Sequence, residues 1–228
     1  AAVAVEPVWM FIDPSRFVPK MLGDLQGRKI ALGAKGSGTL PVALALLQLA
    51  GVNPQPHEAH YLAGPQALQA LGNGEVAAAF VVASSSAPIV DQAVSMGLRP
   101  LMLTSAQAIE RRLPWSHAIT LPRGLLSVAG DVPAADVQML AVNTNLVTRA
   151  DLHESTKFLL LHVATQVHGD AGPMQPARRY PSQDGLIFPQ GEASKDFFVT
   201  GRPWLYKVLP FWSAYQLNRL LLSLLPVL

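Results

Sequence analysis

Apolar residues along this chain come in short solid runs divided by glycine, proline and serine, a pattern that predicts alternating strands and helices. Residues 29–32 form the first buried strand, and Gly33, Gly36 and Gly38 supply the freedom for a tight turn. Thr39 is placed as an N-cap, Pro41 fits a first turn that needs no donor, and the Ala- and Leu-rich run 42–50 continues a helix that Gly51 stops. A helix over 63–71, a strand over 75–83, a helix over 88–96, a strand over 99–103 and a long helix over 151–167 follow. The fold class predicted is α/β, with sheets flanked by helices.

The first strand, turn and helix carry the strongest chemical signal. A helix that starts just after a glycine turn presents unpaired N–H groups and the positive end of its dipole to the turn, and Ser37 and Thr39 add hydroxyls. That combination suits a carboxylate or phosphate. It is neither of the two common nucleotide loops. A P-loop requires Lys directly after its last Gly, where this chain has Thr39, and the dinucleotide fingerprint breaks at Pro41 and lacks its acidic residue about twenty positions on. The turn after the strand over 75–83, residues 83–88, holds Ser84, Ser85 and Ser86 and, if the sheet is open α/β, faces the same crevice, with Ser86 also suited to capping the following helix.

Composition narrows the classes. Half of the residues are apolar and 14% are charged, which excludes a disordered or fibrous chain. The net charge of +2 is scattered without a basic stripe, so nucleic acid is not an expected partner, and Arg111-Arg112 and Arg178-Arg179 read as solvated pairs. With no cysteine there is no disulfide, thiolate metal site or cysteine nucleophile. His57 and His60 lack helical metal-ligand spacing and an evident third ligand. His153, His162 and His168 fall in the long helix in packing or capping roles, while Asp131 and Asp136 near Pro133 read as turn and helix-cap residues. No serine-hydrolase elbow is present, no metal or cofactor is expected, and the chain is read as a non-enzyme. At the C-terminus, residues 208–228 are apolar except for Ser213, Gln216, Asn218, Arg219 and Ser223, with an aromatic cluster at their start; this predicts a membrane-associated apolar helix.

The order of several segments resembles the TAXI family of TRAP-transporter solute receptors, within the type II periplasmic binding proteins. LQGRKIALGAKGSGT (25–39) resembles the family's strand and glycine loop, GPQALQALGNGEVAAAF (64–80) its helix and next strand, and LPWSHAITLPRGLL (113–126) a later stretch. The segments 139–169 and 201–228 resemble the end of its membrane-anchored members. The resemblance implies two α/β lobes with a small organic anion held between them and passed to the membrane permease subunits of a TRAP-type transporter, on the periplasmic or extracytoplasmic face. Residues 1–19 would be a crossover and part of lobe 1, 20–133 lobe 2, 134–203 the return to lobe 1, and 204–228 a segment touching the membrane. Lobe 1 would be incomplete and the chain a fragment.

Carried over, the backbone and hydroxyls of Gly36, Ser37, Gly38 and Thr39 would hold a ligand carboxylate, with Ala83, Ser84 and Ser85 approaching its other side. Ala77 stands where the family usually has an acidic residue, and Ala83, Ser84 and Ser85 where it has a glycine-rich turn, which narrows the pocket. Two alternatives use the same features: an enzyme holding a phosphate at the loop, with His57, His60, Lys35 and Glu75 as its titratable groups, and an interaction protein working through its C-terminal apolar surface.

Overall fold

The computed structural model describes residues 1–186 and 188–201, with five further positions beyond them. The expected apolar segment 204–228 lies almost wholly outside the described residues. Among those described, no helix is long and apolar enough to cross a membrane.

The chain divides into two compact units, residues 5–142 and residues 1–4 with 143–228. Strand β1 (Ala2–Ile12) runs out of the second of these into the first, and strand β7 (Val137–Asn145) runs back.

Within residues 5–142 the order is β1, β2 (Ile30–Ala31), α1 (Thr39–Leu49), β3 (Ala59–His60), α2 (Gly64–Gly72), β4 (Ala78–Val82), α3 (Pro88–Ser95), β5 (Arg99–Pro100), α4 (Ala106–Arg112) and β6 (Ser116–Leu121) before β7. The strands form one mixed sheet in the order β3-β2-β4-β1-β7-β6, with β5 paired to β1. β2 runs parallel to both β3 and β4, whereas β1 is antiparallel to β4 and β6 to β7. The parallel trio arises because α1 and α2 serve as crossovers, which two-residue hairpins cannot do.

Alternation along β1 sorts its side chains to two faces. Val8, Met10 and Ile12 join Ile30, Phe80 and α1's Leu46 and Leu47 in one core, while Trp9 and Phe11, both fully buried, stack with centroids 5.6 Å apart. Burying Leu46 and Leu47 contributes about 1.5–3 kcal/mol each. That outweighs a side-chain cap, and α1 has none: its N-cap is Gly38 with no side-chain bond.

The smaller unit holds α5 (Glu154–His168) and α6 (Glu192–Thr200), packed through Phe158 and Phe197, whose rings meet edge to face at 5.2 Å. Glu154 ties the two helix starts together, accepting from Lys157 Nζ at 2.6 Å and from Ala193 N at 3.0 Å.

Candidate functional site

Because β3, β2 and β4 are parallel neighbours, the loops that leave their carboxyl ends emerge side by side. The three loops begin at Tyr61, Leu32 and Ala83. The glycine loop turns back sharply at Gly33, whose φ is +94° and where an added Cβ would sit 2.8 Å from Thr39 Cβ. Gly36 also adopts a positive φ, +82°. Gly38 does not need to be glycine for its backbone, since its φ of −63° and ψ of −23° are helical. No heavy atom lies within 4 Å of a Cβ added at Gly36 or Gly38, so the cradle above them is open.

Thr39 does not cap the helix as the sequence suggests. It is the first helical residue, and its Oγ1 accepts from Val82 N at 3.3 Å, fastening the start of α1 to the end of β4. The loop's own amide at Ser37 closes a turn on Ala34 O, and Ser37 Oγ is enclosed without any hydrogen-bond partner. A buried hydroxyl without a partner costs free energy unless something supplies one. Helix geometry adds first-turn N–H groups with no intrahelical acceptor. Lys35, exposed at the loop's crest, places its ammonium 5.2 Å from the Tyr61 ring centroid on the neighbouring strand's exit.

The second loop is organised differently from expectation. Both backbone groups of Ala83 are engaged within the fold: its N–H donates to Pro7 O at 3.4 Å, and its carbonyl accepts from Trp9 Nε1 at 2.9 Å. Ser84 Oγ lies 3.1 Å from Ser86 Oγ and accepts from Ser86 N at 3.4 Å. Ser86 is not the cap of α3; Ala87 holds that position with an extended backbone, and its N–H donates to Ser84 O. Ser84 is exposed and Ser85 half-buried. The structure therefore brings Gly36, Ser37, Gly38 and Thr39 into one turn beside Ala83, Ser84 and Ser85.

Of the titratable groups singled out from the sequence, Lys35 and His60 lie toward this end of the strands. Glu75, bound by Asn73 Nδ2 at 3.0 Å, precedes β4, and exposed His57 precedes β3; both belong to the opposite end. His60 Nε2 is enclosed without a partner. No group of three His, Asp or Glu residues suited to a metal occurs among the described residues. Asp136 does not cap a helix; it precedes β7 and accepts from Arg123 N at 2.8 Å, while Asp131 takes both Arg123 Nε and Nη2 at 2.7 and 2.8 Å. That pairing holds the Asp131 carboxyl below the usual carboxylate range. His153 does cap α5, accepting from Ser155 N at 3.2 Å.

One acidic residue, Glu6, interrupts the otherwise uncharged β1. The β1–β4 register runs from Phe11–Ala79 to Val8–Val82, and Glu6 lies two residues before Val8 on β1. Glu6 is half-buried, and its carboxylate has no hydrogen-bond or ion-pair partner among the described residues.

A separate pocket of about 540 Å³ lies in the smaller unit, lined largely by apolar groups including Leu146, Leu161 and Phe188. Its Lys157 already donates to Glu154 and to Ala150 O, and its Arg149 is paired with Asp151. The two cationic side chains lining this pocket are thus already paired within the fold.

Among solved structures the fold is similar to the periplasmic aliphatic sulphonate binding protein SsuA from Escherichia coli, at 18% identity over 74% of this chain and 48% of that one, with a TM-score of 0.44. It is also similar to an ancestral arginine-binding protein bound to arginine, at 19% identity over 44% of this chain and 42% of that one, with a TM-score of 0.34. The chain thus spans about half the length of the first and less of the second. No curated protein matches it. Residues 4–165, well over half of the chain, match the model of the NMT1-like family, and the protein belongs to that family.

Proposed function

We propose that this protein is the solute-binding subunit of a TRAP-type transporter of the TAXI kind, holding a small organic anion, a carboxylate or amino acid, for delivery to a membrane permease. One observation carries the reading: the open start of α1, the enclosed and unpartnered Ser37 Oγ, and Thr39 stand together at the carboxyl ends of parallel strands, beside the Ser84 loop. Oriented amides and a helix dipole favour a carboxylate there without any covalent step. Gly36 and Gly38 leave the space above those amides open, and Ser37 supplies the hydroxyl that a ligand oxygen satisfies. Ser84 and Ser85 bound the same crevice from the next strand. The reading places the protein on the periplasmic or extracytoplasmic face, with segment 204–228 as its membrane contact.

A phosphate-binding enzyme is the weaker reading, because Glu75 and His57 belong to the far end of the strands and leave only Lys35 and His60 near the loop. The test is a thermal-shift screen of the full-length protein against small mono- and dicarboxylates, amino acids and phosphates, since a ligand that binds the native state raises its midpoint by mass action. Selective stabilisation by a carboxylate or amino acid, lost in Gly38→Val, supports the proposal. Stabilisation by phosphate esters alone, or none by any compound, overturns it.

A further inference from the structure

Strand β6 stands at one end of the sheet order, with β7 on one side and no strand on the other. Its pairs with β7 run one for one from Ser116–Val142 to Leu121–Val137, so no bulge interrupts it. Antiparallel pairing sends the backbone groups of alternate residues inward to the neighbour and outward to the edge. Two hydrogen bonds fix which residues face outward. Gln138 O, opposite Thr120, accepts from Leu103 N at 2.7 Å and so points away from β6, and Ser116 N donates to Leu113 O at 2.9 Å rather than into the ladder. Ser116, Ala118 and Thr120 therefore turn their backbone groups to the open edge. With Ser116 N engaged, the N–H and C=O groups of Ala118 and Thr120 remain, and these have no partner among the described residues. Helix α4 packs on one face of the sheet, where its Ala106 and Ile109 share a core with Leu140 and Ala118.

Proteins keep sheet edges single by shortening them or by placing Pro, Lys or a bulge on them. The opposite edge has such protection, since β3 is two residues long and follows Pro54 and Pro56. Residues 116–121, SHAITL, contain neither a charge nor a proline. We propose that β6 pairs antiparallel with β6 of a second copy of this chain, joining two sheets across a twofold axis. The edge is self-complementary in one register. An axis at Ile119 sets Ala118 of each copy opposite Thr120 of the other, and these residues exchange both of their hydrogen bonds. An axis at Ala118 would oppose Thr120 to Ser116, whose N–H is engaged, and an axis at Thr120 would oppose Ala118 to Pro122, which has no N–H. Charge supports the same pairing. It lays the end of α4 in one copy, with exposed Arg111 and Arg112, toward the segment after β6 in the other, where Asp131 and Asp136 stand against the single cation Arg123.

The experiment is sedimentation velocity of the full-length protein over a concentration series, repeated with Thr120→Pro. Proline at 120 spares the β6–β7 ladder, because that N–H points outward, and removes one edge donor from each copy. The wild type should dimerise as its concentration rises, and Thr120→Pro should raise the concentration of half-dissociation about tenfold or more. Single cysteines report the register separately, since the chain has none of its own. Ile119→Cys, opposed to itself with Cα atoms about 4.5 Å apart, should cross-link under mild oxidation well ahead of Thr120→Cys. A wild type that is monomeric at every concentration, a dimer that a stably folded Thr120→Pro leaves intact, or equal cross-linking by the two cysteines overturns the proposal. Where Thr120→Pro lowers the thermal midpoint, the cysteine pair decides.

Discussion

Thr39 Oγ1 accepts a hydrogen bond from Val82 N at 3.3 Å, joining the first residue of α1 to the last residue of β4. A side chain read as a helix cap is instead a cross-brace between two loops of the crevice. Thr39→Val keeps the shape and deletes the acceptor, leaving a partly buried N–H unpaired, at a cost of about 1 kcal/mol; Thr39→Ser retains most of it. Urea unfolding of the three proteins checks this. Equal stability of all three would show that the brace is not formed in solution.

The glycines of the loop separate folding from binding. Gly33→Ala meets both a positive φ and the Thr39 side chain at 2.8 Å, so it should destabilise by about 2–4 kcal/mol. Gly38→Ala places a Cβ in open space on a helical backbone and should be neutral or stabilising by up to about 1 kcal/mol, while crowding the cradle and weakening any anion held there. A Gly38→Ala protein that is as stable as wild type and binds as well would place the ligand elsewhere.

The second loop hangs on Trp9. Its ring is fully buried and its Nε1 donates to Ala83 O at 2.9 Å. Trp9→Phe preserves much of the stack on Phe11 but frees that carbonyl, so stability should fall by about 1–2 kcal/mol and amides of residues 84–87 should exchange faster. Hydrogen exchange that is unchanged over this loop would mean the indole bond does not hold it.

In the smaller unit, Glu154 gives a pH dependence of defined sign. The hydrogen bond from Lys157 Nζ, with lesser help from Ala193 N–H and the Lys157 and His153 charges and against an opposing effect of burial, lowers its pKa from the ordinary 4.5. A carboxylate whose folded value is depressed contributes stability that is fully present above its unfolded value and is lost as the pH falls through the folded one. Acidification from neutral pH to about pH 3.5 should therefore destabilise the wild type more than Glu154→Gln. Parallel losses in the two proteins would count against the pairing.

What the sequence made legible is local. The runs of residues 29–32, 42–50 and 75–83 and their glycine and serine boundaries located β2, α1 and β4 to within a few residues, because buried strands and apolar helices announce themselves by composition. What it hid is non-local. Pro7 argues against a central strand, since proline donates no ladder bond, yet β1 lies between β4 and β7 with Pro7 serving as an acceptor for Ala83 N. Thr39 and Asp136 suit helix caps by residue type and local sequence; both instead bind backbone N–H groups distant in sequence, Val82 and Arg123. Such partners follow from topology, which short-range spacing does not encode.

The most direct test of the central claim is amide hydrogen exchange of the full-length protein with and without the ligand that the thermal screen finds. The expected result is slowed exchange at residues 36–40 and 84–87, where a carboxylate would cover the start of α1 and the adjoining serine loop. Protection that appears instead only around residues 145–150 and 186–194, the lining of the apolar pocket in the smaller unit, would contradict it.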